Sequence, residues 1–176
     1  MKKSILVWDP LLRVFHWSLV LTFVIAFITA EDMEKLHIKV GYIVLGLVCF
    51  RLVWGFVGSH YARFSQFVKS PEKVISHLKD VYAKREKRYL GHNPAGGAMI
   101  IVMIFGLFTI SLTGWMITAN GAHWVEEAHE VITFIFVIAI IVHVLGVIIE
   151  SKKHKENLTK AMINGYKKSP SKEDIV

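Results

Sequence analysis

The chain has 176 residues, 53% of them hydrophobic, a mean hydropathy of +0.46 and a formal net charge of +7. That apolar content excludes the ordinary soluble class and fits one integral membrane domain. The lone cysteine, Cys49, excludes an internal disulfide and a thiolate-held cluster, and the basic residues gather in particular loops, so membrane topology rather than a nucleic-acid partner accounts for the charge.

Four runs reach the roughly 20 apolar residues that a bilayer-spanning helix needs, at about 11–30, 38–57, 98–119 and 126–149. The expected fold is an all-α, integral membrane four-helix bundle over 1–150, followed by a basic tail at 151–176. The start resembles a signal peptide, with Lys2 and Lys3 before an apolar run, but no small-x-small cleavage site closes the run and His16 interrupts it. A retained first helix is expected, with Trp8 as an interfacial anchor. His16 lies about a turn and a half inside it.

A short acidic connection, Glu31 to Lys35, leads to a second helix opening at His37. Arg51 follows fourteen residues later, on nearly the same helix face. Its guanidinium either meets an anion inside the bundle or snorkels to lipid phosphates. Gly41 and Gly55 lie one turn after His37 and Arg51, where a missing side chain admits a flat ring or a closely packed helix.

The second connection is the longest. Ser70-Pro71 is an N-cap and first-turn proline, and Val74, Leu78 and Val81 make the next stretch an amphipathic helix on the membrane surface. Gly91-His92-Asn93-Pro94-Ala95-Gly96-Gly97 breaks that helix and launches the third. His60, His77 and His92 share this side of the membrane, and most of them are expected to be solvated. The third helix holds no histidine or charge and reads as a wall, with Gly106 and Gly114 as places of close approach.

After the loop Asn120-Gly121-Ala122-His123-Trp124, where His123 rivals His37 or His129 as a ligand, the last helix carries His129 and His143. Fourteen residues is almost four turns, so both imidazoles leave from nearly one face, about 21 Å apart along the axis. Trp115 and Trp124 suit an aromatic belt. Lys152 to Lys155 suit an anionic leaflet, and the chain beyond about Ser169 reads as disordered.

Charge asymmetry sets the topology. The second connection carries Arg63, Lys69, Lys73, Lys79, Lys84, Arg85, Lys87 and Arg88, while the first and third hold only Lys35 and Lys39 against six acidic residues. Both termini and the second connection are therefore expected in the cytoplasm. His16 and His143 then share one depth near the inner face, and His37 and His129 share another near the outer face. Two imidazoles at each of two depths suit six-coordinate haem iron, whereas zinc wants three or four protein ligands in one place. With no CxxCH motif, two non-covalent haem b groups are expected.

These residues carry a resemblance to the prokaryotic cytochrome b561 family, which includes the cytochrome b subunits of nickel–iron hydrogenases. It rests on Trp8-Asp9-Pro10 with Arg13-Val14-Phe15-His16-Trp17, on Leu36-His37-Ile38-Lys39-Val40-Gly41-Tyr42, and on Phe50-Arg51-Leu52-Val53-Trp54-Gly55-Phe56-Val57-Gly58. Ala62-Arg63-Phe64, the Gly91–Gly97 stretch and the two-histidine last helix extend it. The resemblance implies a di-haem, quinone-linked electron carrier of the bacterial inner membrane. His16 and His143 would ligate the cytoplasmic haem, and His37 and His129 the periplasmic one.

Electron transfer between the quinone pool and a periplasmic partner such as a c-type cytochrome is the expected function, since acidic outer loops suit a basic partner. Arg51, Arg63 and His92 are candidates for a quinone head group. The alternatives are a superoxide:quinone oxidoreductase, a cytochrome b subunit of a hydrogenase or dehydrogenase complex and, more remotely, a metal-ion transporter.

Overall fold

The computed structural model describes residues 4–176, the side chain of Asn120 aside; Lys2 and Lys3 lie outside the described residues. It is 73% helical. In chain order the elements are β1 (Ser4–Leu6), α1 (Pro10–Ile28), α2 (Glu34–Val57), a 3-10 turn (His60–Ala62), α3 (Phe64–Phe67), α4 (Pro71–Tyr82), α5 (Pro94–Asn120), α6 (His123–Lys153), α7 (Leu158–Asn164) and β2 (Tyr166–Lys168). Helices α1, α2, α5 and α6 are each long and apolar enough to cross a membrane, so the protein is an all-α, multi-pass membrane protein.

The long helices start one to four residues before the apolar runs do, and at α1 and α5 capping side chains outside those runs set the start. Asp9 Oδ1 accepts the Leu12 N–H at 2.9 Å ahead of Pro10, and Asn93 Oδ1 accepts the Gly96 N–H at 2.7 Å ahead of Pro94. Each satisfies an N–H that the first turn leaves without a helical partner. The family-like Trp8-Asp9-Pro10 and Asn93-Pro94 stretches are thus helix starts. Asp9 Oδ2 also accepts Ser59 Oγ at 2.5 Å and Trp54 Nε1 at 3.3 Å.

The chain forms two compact units. The first comprises 14–53 and 102–141 and so contains much of each long helix. Val44 and Val48 from α2, Leu107 from α5 and Phe136 from α6 form its buried centre, packed by Leu19 and Phe23 of α1. Its outward apolar residues stay bare: Leu21, Phe105 and Phe134 are 61%, 70% and 68% exposed. A chain facing water would hide such side chains, whereas one facing hydrocarbon has no reason to.

The second unit comprises the described part of Met1–Arg13 together with 54–101 and 142–176. Here the basic tail is folded, and beyond Ser169, where disorder was expected, Asp174 and Ile175 still bond to the second connection. Strands β1 and β2 pair antiparallel, Ser4 opposite Lys168 and Leu6 opposite Tyr166. Helix α7 is capped by the Asn157 side chain, which accepts the Lys160 N–H at 2.7 Å, and ends on Gly165 in the left-handed conformation. Arg88 Nη2 and Nε donate to Glu156, Nη1 donates to Asp174 Oδ2 at 2.5 Å, and Lys167 Nζ donates to the Tyr89 and Leu90 carbonyls. Ile175 joins by backbone bonds with Arg88 and Leu90. The charges that read as a solvated tail are internal fastenings.

Two further expectations are corrected in this unit. Trp8 is buried, with its ring centre 4.5 Å from that of His92, so it is no interfacial anchor. His92 also lies 5.1 Å from Phe67, and His77 of α4 is buried against Tyr89, so only His60 of these three histidines is exposed, where most were expected to be. Ser70 occupies the N-cap position of α4 without a side-chain capping bond; its hydroxyl instead bonds Glu72, which helps hold that carboxyl below the usual range.

Candidate functional site

His37 sits in the first turns of α2 and His129 in the second turn of α6, both half-buried within the 14–53 and 102–141 unit. Their ring centres are 6.2 Å apart and their planes stand at 83°. Each ring is held through Nδ1. That of His37 lies 2.8 Å from the Ala26 carbonyl of α1, and that of His129 lies 2.9 Å from Thr113 Oγ1 of α5. A carbonyl only accepts, so His37 carries its proton on Nδ1 and keeps Nε2 as the basic nitrogen. The Thr113 hydroxyl lies 2.9 Å from the Thr109 carbonyl and 3.0 Å from that of Ile110, which take its hydrogen and leave its oxygen to accept from His129 Nδ1–H. Both imidazoles are therefore set in the Nδ1–H form, the form in which Nε2 binds a metal.

The spacing fits an iron between them. A metal–imidazole bond of about 2 Å on each side, plus roughly 1 Å from nitrogen to ring centre, separates two opposed ring centres by about 6 Å. Among the described residues no three metal-ligating side chains gather. A pair of ligands suits a metal whose other four positions are filled by a macrocycle, and so fits haem better than a bare ion. Space is provided as well: a Cβ on Gly41, one turn from His37, would meet nothing within 4 Å.

Other candidates sort differently. His123 is 84% exposed at the start of α6, 3.5 Å from Glu127, and is no part of this pair. Arg51 of α2 is 2% exposed, which excludes snorkelling to lipid phosphates and keeps its guanidinium inside the protein. Gly55 does not offer the open face expected of it, because a Cβ there would lie 2.1 Å from the Phe64 ring; the missing side chain admits that phenylalanine. Gly106 likewise admits Phe136. His16 of α1 packs edge-on against Trp17 in the first unit, whereas His143 of α6 belongs to the second, as do Arg63 and His92.

Thr113 is the residue that sequence reasoning missed. Threonine in an apolar helix bonds back to its own backbone so often that its presence says nothing about a neighbour. Only the fold places it opposite His129, sixteen residues later.

A family model described as prokaryotic cytochrome b561 matches residues 7–165. Among curated proteins, the chain is 24% identical to a probable Ni/Fe-hydrogenase B-type cytochrome subunit of Azotobacter vinelandii over 214 residues, covering 94% of this chain and 89% of that protein. A protein of the same description from Rhodobacter capsulatus is also 24% identical, covering 94% and 82%, and one from Bradyrhizobium diazoefficiens is 21% identical, covering 93% and 86%. The alignments are longer than the chain's own 176 residues, so these relatives carry stretches that it lacks. No solved structure matches.

Proposed function

The chain belongs to the prokaryotic cytochrome b561 family, and on that premise we propose that this membrane b-type cytochrome carries two haems in series and moves electrons between a quinone and a redox protein outside the bacterial inner membrane. The observation that carries the reading is the His37–His129 pair, 6.2 Å apart with both Nδ1 atoms already committed. Haem, when bound, supplies reversible one-electron chemistry; the polypeptide holds it and sets its surroundings.

In this reading His37 and His129 ligate the haem nearer the outer face, and His16 and His143 the one nearer the cytoplasm. Gly41 leaves room for the macrocycle, and buried Arg51 offers a guanidinium to a propionate. The second pair rests on helix spacing and on family resemblance. Positive-inside charge supports cytoplasmic termini. Glu31, Asp32, Glu34, Glu126, Glu127 and Glu130 are all exposed and favour a basic partner such as a c-type cytochrome over superoxide, an anion.

A second reading is favoured by the names of the relatives: a cytochrome subunit serving a hydrogenase or a similar complex. The stretches these relatives have and this chain lacks count against a shared partner. The test is reconstitution into vesicles, with a short-chain quinol as donor and a basic c-type cytochrome as acceptor. The proposal expects haem-dependent turnover that falls as salt rises, because exposed charges are screened beyond about 10 Å at 0.1 M. Reduced haem that fails to pass electrons to that acceptor at any ionic strength would sink the c-type partner and turn the search to a dedicated enzyme complex.

A further inference from the structure

We propose that Thr113 is a positioning residue for haem, fixing the tautomer and ring plane of His129; this rests on the ligand role proposed for His129. The helix read as a wall is a cradle at this point. Thr113 Oγ1 holds His129 Nδ1 at 2.9 Å, while the next residue, Gly114, brings the α5 backbone so close that a Cβ there would stand 3.3 Å from His129 Cε1. The ring is held between a hydroxyl that accepts its proton and a position where a side chain would press on it.

Thr109 also bonds back to its own helix, at 2.9 Å from the Phe105 carbonyl, so back-bonding alone is ordinary. What sets Thr113 apart is that its hydrogen is taken by the Thr109 and Ile110 carbonyls, which turns its oxygen into an acceptor for the imidazole. His37 gets the same treatment from a backbone carbonyl, which no side-chain substitution removes. Thr113 is therefore the handle by which the pair can be adjusted. Accepting the Nδ1 proton makes Nε2 a stronger electron donor, which favours ferric over ferrous iron. With the planes at 83°, the bond also keeps the two imidazoles crossed rather than parallel.

The experiment compares Thr113→Val, Thr113→Ser and His129→Ala in the full chain, purified with haem. Haem per chain and the midpoint potential of each haem are measured. Valine keeps the branched shape and removes the acceptor, so the variant should fold. Thr113→Val should weaken haem retention at one site about 10- to 100-fold, as loss of such supporting bonds does, and raise that haem's potential while leaving the other unchanged. Thr113→Ser should restore both. The proposal is overturned if Thr113→Val changes neither property. It is equally overturned if serine fails as valine does, because the methyl group would then be what matters. A His129→Ala chain that still holds two haems would break the ligand reading itself, and is recognisable as that separate failure.

Discussion

At His37 and His129 each imidazole commits one nitrogen to the protein and keeps the other basic, whereas around Arg88 the charged groups satisfy one another. Arg88, Glu156, Asp174 and Lys167 close a network through their own hydrogen bonds, and only about a tenth of the Arg88 and Asp174 side chains is exposed. Both clusters are polar groups taken out of solvent, and both are costly to bury. The difference lies in what remains over. A network that closes on itself fastens the chain, while the pair that keeps one nitrogen on each ring is where the proposed function places a haem.

The sharpest way to break this contrast is to delete one member of each cluster. His129→Ala should abolish one of the two haems outright, read by the pyridine haemochrome assay, and leave the tail as well protected from hydrogen exchange as before. Arg88→Ala should do the opposite. It removes the cation shared by Glu156 and Asp174 and leaves Glu156 only Lys167, 3.7 Å away, a loss of about 3–5 kcal/mol for a buried pair, seen as fast exchange over 156–175 with two haems retained. If either substitution produced the other's effect, the two clusters would not be separate devices.

A smaller effect comes from pH. His77 is held below its ordinary value of 6.5, chiefly by burial, with Glu150, Glu86 and Asp80 opposing that and Lys153 adding to it. A base with a lowered folded value stays neutral in the fold and takes up a proton more readily when its segment opens. The stability of α4 should therefore be fully present above pH 6.5 and decline as pH falls below it through the lowered value. Exchange of 71–82 measured against pH checks this, and replacing His77 with leucine should flatten the curve. Asn157→Ala should have the least consequence, about 1 kcal/mol at the start of α7, because the cap there is a single hydrogen bond. Exchange of 158–164 should reveal it.

How much of this was legible in advance followed the range of the forces involved. Hydrophobic runs mark spanning helices locally, so α1, α2, α5 and α6 were readable to within a few residues, as was α4 from Ser70-Pro71 and its apolar spacing. The juxtaposition of His37 with His129 was readable as well, because helix spacing and alternating topology carry it. The tail was not. Its order depends on Arg88 meeting Asp174, 86 residues away, and on Ser4–Leu6 pairing with Tyr166–Lys168. Local composition scores such a lysine-rich segment as solvated whether or not a distant arginine awaits its carboxylates. Thr113 was hidden for a related reason, since a hydroxyl in an apolar helix looks the same with or without a histidine beside it.

The central claim is that this chain holds two haems, each between a pair of histidines. Purified in mild detergent after haem-supplemented expression, it should give a split or broad b-type α-band in the dithionite-reduced minus air-oxidised spectrum, with about two haems per chain by pyridine haemochrome. A chain that binds a single haem, or stays colourless, would contradict that claim.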